Sequence, residues 1–115
     1  MKIPEIFKNE AQFQEYANKH LREKKIMYYH RQKGRGKSND SQNFVTINDT
    51  KFRFWDLMIF QGEGKVFFVE LKTAKGVTDG EQDNFGIWAS LSGYSNYVCR
   101  NWEEFLLVLS AEGIK

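Results

Sequence analysis

Behind Asn9, a side chain suited to capping a helix, Phe13, Tyr16, Ala17 and Leu21 recur at three- and four-residue spacing. That period predicts an amphipathic helix over about residues 10–24. The short apolar run at 26–30 reads as a strand, and residues 32–43, rich in Gly, Lys, Arg, Ser, Asn and Asp without any period, as a mobile basic loop. Residues 44–47 suggest a short edge strand ended by the turn formers Asn48 and Asp49. Aromatic and branched residues fill 51–60 and 65–73 on either side of Gln61, Gly62, Glu63 and Gly64, which predicts a β-hairpin. Thr78 with Glu81 forms a capping box for a helix whose apolar face is Phe85, Trp88, Ala89 and Leu91, and Gly93 ends it. Residues 96–100 return as a strand, and Asn101 caps a last helix containing Trp102, Phe105, Leu106 and Leu109. Setting the short edge strand aside, the predicted order is α-β-β-β-α-β-α, an α/β structure with a mixed sheet flanked by helices. Neither a repeat nor a linker interrupts it, so residues 1–115 read as a single domain.

Composition narrows the class. Hydrophobic residues make up 41% and aromatics 16% of the 115 residues, enough for a packed core and incompatible with a disordered chain. The single cysteine, Cys99, excludes an internal disulfide, and the absence of a CxxC pair or a histidine cluster gives no structural zinc motif, so a reducing compartment is expected. Nothing approaches the roughly 18 consecutive apolar residues of a membrane span, which predicts a soluble, cytoplasmic protein without a membrane partner. The net charge of +2 is too small to point to a partner. Its distribution is uneven: Arg22, Lys24, Lys25, Arg31, Lys33, Arg35 and Lys37 face one acid, Glu23, within a short stretch. This is either an electrostatic footprint for nucleic acid or a solvated helix end running into a loop.

Alternation along 65–73 puts Val66, Phe68, Glu70 and Lys72 on one face and Phe67, Val69 and Leu71 on the other. Asp56 interrupts the preceding strand in the same way. Charges among aromatics need partners, and Lys72 paired with Glu70 or Asp56 as a partly buried ion pair is one explanation. The other is chemical. Two carboxylates offer oxygen ligands to Mg²⁺ or Mn²⁺, and an ammonium beside them orients water or stabilises charge on a phosphate. A shared metal requires both carboxylates on one face. If Phe60 lies opposite Val66, then Asp56 lies opposite Glu70, which demands an odd-numbered hairpin loop or a bulge. A plain two-residue turn at Gly62 and Glu63 would send them to opposite faces.

Trp55 and Asp56, then Val69, Glu70, Leu71, Lys72 and Thr73, then Thr78 and Gln82 resemble the PD-(D/E)XK nuclease superfamily, and within it the small VRR-NUC branch whose stand-alone members occur in phages. The likeness runs from Asn9 to Leu109. Glu70, Leu71 and Lys72 match the ExK triplet, Asp56 the metal-binding aspartate and Gln82 the glutamine opening the following helix. Asn9 to Gln14 resemble the family's first helix, where a glutamate completes the metal site, here Glu10. Glu15 is its rival, off the core-facing stripe. Trp55 departs from the family's proline, and the glycine preceding that proline is missing too. Proline donates no metal oxygen, so an intact ligand is expected.

The resemblance implies a restriction-endonuclease-like core and a Mg²⁺- or Mn²⁺-dependent DNA endonuclease for structured DNA such as a four-way (Holliday) junction. Asp56, Glu70, Glu10 and the Leu71 carbonyl would hold metal, Lys72 would handle water or phosphate, and Gln82 completes the catalytic set. A phage-infected or prophage-bearing bacterial cell is the implied setting, and a homodimer the implied unit. Apolar residues surplus to one sheet contact in the last helix would serve that dimer. Arg31, Lys33, Arg35 and Lys37 are assigned to phosphate contacts. The competing reading is a catalytically silent DNA-binding module whose charges neutralise one another. Lesser candidates are Gly34 to Ser38, which mimic the tail of a phosphate loop but have Arg31 where its first glycine belongs, and His20 and His30, ordinary polar positions. Cys99 reads as a buried strand residue.

Overall fold

A computed structural model describes residues 2–31 and 44–114. Helix α1, Glu10–Glu23, starts where the Asn9 side chain accepts the Gln12 N–H, and it buries Phe13, Gln14, Ala17 and Leu21. The strands are β1 Tyr28–His30, β2 Phe44–Ile47, β3 Thr50–Arg53, β4 Leu57–Gly62, β5 Lys65–Leu71 and β6 Ser95–Cys99, with α2 Gly80–Leu91 between β5 and β6 and α3 Trp102–Ala111 last. Asn101 caps α3 and Gly93, at φ 88°, follows α2 in the left-handed conformation expected of it.

The predicted order needs one correction, because the expected strand 51–60 is two strands. Residues 50–53 pair with β2 in a separate two-stranded sheet, through a turn at Asn48 and Asp49 with φ 50° and 65°. The chain then leaves the extended ladder at Phe54 to Asp56 and re-enters it as β4. Among the described residues the order is therefore α-β-β-β-β-β-α-β-α. The main sheet is mixed, ordered β1-β4-β5-β6, with β5 and β6 parallel and the other pairs antiparallel.

Glu63 and Gly64 form a two-residue turn at φ 57° and 76°, with Gly62 opposite Lys65. Continued without interruption, that pairing would set Asp56 opposite Leu71. Gln61 is an extra residue that shifts the register, so Phe60 faces Val66 and Leu57 faces Val69. The next position in the ladder places Asp56 opposite Glu70, as a shared face requires.

Alternation then sorts the core. Leu57, Ile59, Phe67, Val69 and Leu71 meet Phe13, Ala17 and Leu21 of α1 and Phe105 and Leu109 of α3 on one face of the sheet. On the other, Trp55 and Phe68 meet Phe85 and Ala89 of α2. Leu106 and Leu107 of α3 remain exposed, as do Ile87 and Leu91 of α2. Among the described residues no helix is long and apolar enough to cross a membrane.

Gly86 exists because Trp55 lies against it: a Cβ there would stand 2.7 Å from Trp55 Cζ2. Alanine at an exposed helix position gains about 1 kcal/mol over glycine. Here Gly86→Ala should instead lose about 1–3 kcal/mol through overpacking, read as a lower midpoint in urea unfolding. A rise in midpoint would show that Trp55 moves freely.

Candidate active site

The charged residues meet where β4 and β5 run out of ordinary partners. Asp56, one residue before β4, donates its N–H to Glu70 Oε1 at 3.0 Å, and its Oδ2 accepts the Leu71 N–H at 2.8 Å. Each carboxylate thus has one oxygen laced to main chain. The remaining oxygens are held by side chains. Arg31 Nη2 lies 3.1 Å from Asp56 Oδ1, while Gln82 Nε2 and Lys72 Nζ lie 2.5 and 3.3 Å from Glu70 Oε2. Lys72 Nζ also reaches Glu10 Oε1 at 3.5 Å. Asp56 and Glu70 are 2% and 1% exposed, so without these donors their charges would carry a large desolvation cost.

Gln82 reaches Glu70 because of how α2 begins. The capping box predicted at Thr78 and Glu81 lies one residue further on: Asp79 Oδ1 accepts the Gln82 N–H at 2.8 Å, and Gln82 Oε1 accepts the Asp79 N–H at 3.1 Å. With its oxygen committed to the cap, the Gln82 amide turns its NH₂ toward Glu70. Thr78 instead donates its hydroxyl to Asp83. Arg53 braces Asp79 at 2.9 Å, and Trp55 Nε1 donates to the Gln82 carbonyl at 2.9 Å. Trp55 therefore ties the strand end carrying Asp56 to the helix end carrying Gln82.

Of the residues singled out from sequence, Glu10, Asp56, Glu70, Lys72 and Gln82 come together. The Leu71 N–H and C=O share one strand edge, so its carbonyl faces the same side as its bond to Asp56. Glu15 is exposed, away from the cluster. Arg31, assigned to the phosphate-binding segment, is 6% exposed and bonded to Asp56. Its guanidinium is enclosed and faces a carboxylate. Lys33, Arg35 and Lys37, and the loop segment Gly34 to Ser38, lie outside the described residues. His20 packs edge-on against Trp102 and has its pKa lowered by burial. His30 Nδ1 and Asn18 Nδ2 are 3.2 Å apart. Cys99 is buried as expected, its thiol pushed up to about 12 by burial.

Sequence reasoning missed the bond from Arg31 to Asp56, Asp79 as the cap of α2 and the burial of Gln14. Asp79 stands directly before the first helical residue, a legible signal. Gln14, one turn beyond Glu10 on the same helix face, is buried with Oε1 lacking a protein partner among the described residues, and only its position four after Glu10 hinted at that.

Among the described residues no three His, Cys, Asp or Glu side chains form a ready metal cage. The donor set nonetheless fits a hard divalent cation. Mg²⁺ keeps several waters and takes one or two carboxylates, not a complete protein cage. Asp56 Oδ1 and Glu70 Oε2 are the oxygens held only by side chains, and they can be freed while the main-chain bonds to their partner oxygens keep both carboxylates oriented. The Lys72 ammonium already stands between Glu70 and Glu10, marking a point that favours positive charge. No family model matches the chain, and no curated protein or solved structure matches it.

Burial, with the neighbouring Asp56 charge, pushes Glu70 from 4.5 up to about 7, against the pull of Lys72 and Arg31. Since folding raises this pKa, the group's contribution to stability is complete below pH 4.5 and is lost as pH rises through about 7. Relative to the wild type, Glu70→Gln should therefore gain on the order of 2 kcal/mol between pH 5 and pH 8 in metal-free urea unfolding. A difference that stays flat over that range would mean that Glu70 titrates alike folded and unfolded.

Proposed function

We propose that this chain is a Mg²⁺- or Mn²⁺-dependent DNA endonuclease with a restriction-endonuclease-like core. The observation that carries the reading is the convergence of Glu10, Asp56, Glu70, Lys72 and Gln82 from two helices and the β4–β5 hairpin into one bonded cluster. These are the residues that match the PD-(D/E)XK pattern in the sequence. Asp56, Glu70 and the Leu71 carbonyl would hold the cation, and Glu10 would join them or their waters. When bound, such a cation supplies a more acidic water and neutralises charge on the phosphate.

The chain's own groups do the rest. The Leu71 and Asp56 main-chain N–H groups keep the two carboxylates fixed. Gln82 Nε2 orients Glu70, and Trp55 and Asp79 orient Gln82. Lys72 Nζ positions the attacking water or offsets negative charge as the phosphodiester is cleaved. Branched or four-way junction DNA is the substrate proposed, in the cytoplasm of a phage-bearing bacterial cell. A homodimer would place two sites for paired cuts, with exposed Leu106 and Leu107 available to its interface.

One observation favours a second reading, a silent DNA-binding module: the two carboxylates are buried and every oxygen of theirs is engaged. Cleavage assays with Mg²⁺ or Mn²⁺ on single-stranded, duplex, flap and four-way DNA separate the two. Asp56→Asn, Glu70→Gln and Lys72→Met should each lower cleavage by roughly a thousandfold. The carboxylate variants should also lose Mn²⁺ binding, whereas Lys72→Met keeps it. Wild-type cleavage by Lys72→Met would remove Lys72 from the mechanism, and inert protein on all four substrates would leave the silent module. Replacing Lys33, Arg35 and Lys37 with Ser should weaken DNA binding alike across sequences and lower the salt slope by about one for each phosphate no longer neutralised. Unchanged affinity at low salt would dismiss the basic arm.

A further inference from the structure

Arg31 holds Asp56 more closely than a neighbouring charge needs to. Its N–H donates to the Asp56 carbonyl at 2.8 Å, its Nη1 to the Phe54 carbonyl at 3.0 Å and its Nη2 to Asp56 Oδ1 at 3.1 Å. The contact to Oδ1 is decisive, because Oδ2 is committed to the Leu71 N–H. Oδ1 is therefore the Asp56 oxygen that a metal would use, and a guanidinium occupies it. A buried oxygen does not serve both cations, since like charges a few ångströms apart repel strongly where water is excluded.

Lys72 and Arg31 differ in what happens on displacement. If Lys72 leaves Glu70 it retains Glu10. Asp56 is the one ion-pair partner of Arg31 among the described residues, Glu70 acts on it only at longer range, and its other side-chain hydrogen bond goes to the neutral Phe54 carbonyl. Giving up Asp56 thus requires another anion. Arg31 Nε is buried without a protein partner among the described residues, so the guanidinium carries an unused donor. A phosphodiester, with two non-bridging oxygens, matches that planar fork. Arg31 also directly follows β1, an edge strand, so its side chain can leave Asp56 without parting the inner strands.

Resting on the nuclease reading, we propose that Arg31 and the divalent cation compete for Asp56 Oδ1, and that a nucleic-acid phosphodiester draws Arg31 away. Substrate and metal then bind cooperatively. Free protein holds metal weakly, protein on DNA holds it tightly, and by linkage the metal tightens DNA binding by the same factor. Arg31 is a positioning residue in this scheme, acting through Asp56.

The test reads binding, not turnover. Mn²⁺ is titrated calorimetrically into wild-type, Arg31→Met and Arg31→Lys protein, and a fluorescent four-way junction is titrated by anisotropy in Ca²⁺ and in EDTA. Arg31→Met should bind Mn²⁺ about tenfold or more tightly than the wild type, with Arg31→Lys between them. Ca²⁺ should tighten wild-type junction binding about tenfold, and that gain should shrink to within about threefold in Arg31→Met. Should Arg31→Met fail to fold without metal, Arg31→Lys decides on affinity. Equal or weaker Mn²⁺ binding in the variants overturns the competition while leaving the nuclease reading intact. Tighter binding with no cleavage of any substrate keeps the competition and removes the nuclease, and no Mn²⁺ binding by any form removes both.

Discussion

Two hydrogen bonds running in opposite directions, from the Asp56 N–H to the Glu70 carboxylate and from the Leu71 N–H to the Asp56 carboxylate, hold the end of the β4–β5 hairpin together. At the end of the β4–β5 ladder, carboxylate oxygens take the place of main-chain carbonyls: Glu70 accepts the Asp56 N–H, and Asp56 accepts the Leu71 N–H. This closes the hairpin with charged groups at a buried position. Everything nearby answers that demand for donors. Arg31 directly follows β1, α2 has Gln82 in its first turn, and Lys72 links the end of β5 to α1. The elements are oriented around the charges as much as around the apolar core.

Most of the architecture was legible because its signals are local. Helical spacing with an asparagine cap located α1 and α3, and alternation around a glycine-rich turn located the hairpin. The division of 51–60 was not legible. Phe52, Phe54 and Trp55 continue the strand composition with no glycine or proline to break it, and the break comes from tertiary demands: Asp56 turned toward β5, Trp55 toward α2. The cap of α2 slipped by one for a similar reason. Thr78 with Glu81 and Asp79 with Gln82 both satisfy the spacing rule, and only the far end of Gln82, engaged by Glu70, distinguishes them. The bond from Arg31 to Asp56 was not legible because composition groups Arg31 with the lysines and arginines after it. Its partner is 25 residues away in sequence.

Trp55 stands directly before Asp56 and does two things there. Its indole N–H holds the Gln82 carbonyl, and its ring fills the notch left by Gly86. Trp55 acts as a side-chain strut between strand and helix. The strut also joins the second apolar cluster, with Phe68 and Phe85, so the position of Gln82 depends on packing behind the sheet.

Cys99 closes β6 opposite Leu71, one residue from the site, and is the chain's single thiol. Burial pushes its thiol up to about 12, which disfavours the thiolate, the reactive form. The same burial makes Cys99 an internal reporter. Modification by a thiol reagent requires the core around Cys99 to open, and its rate measures how often that core comes apart.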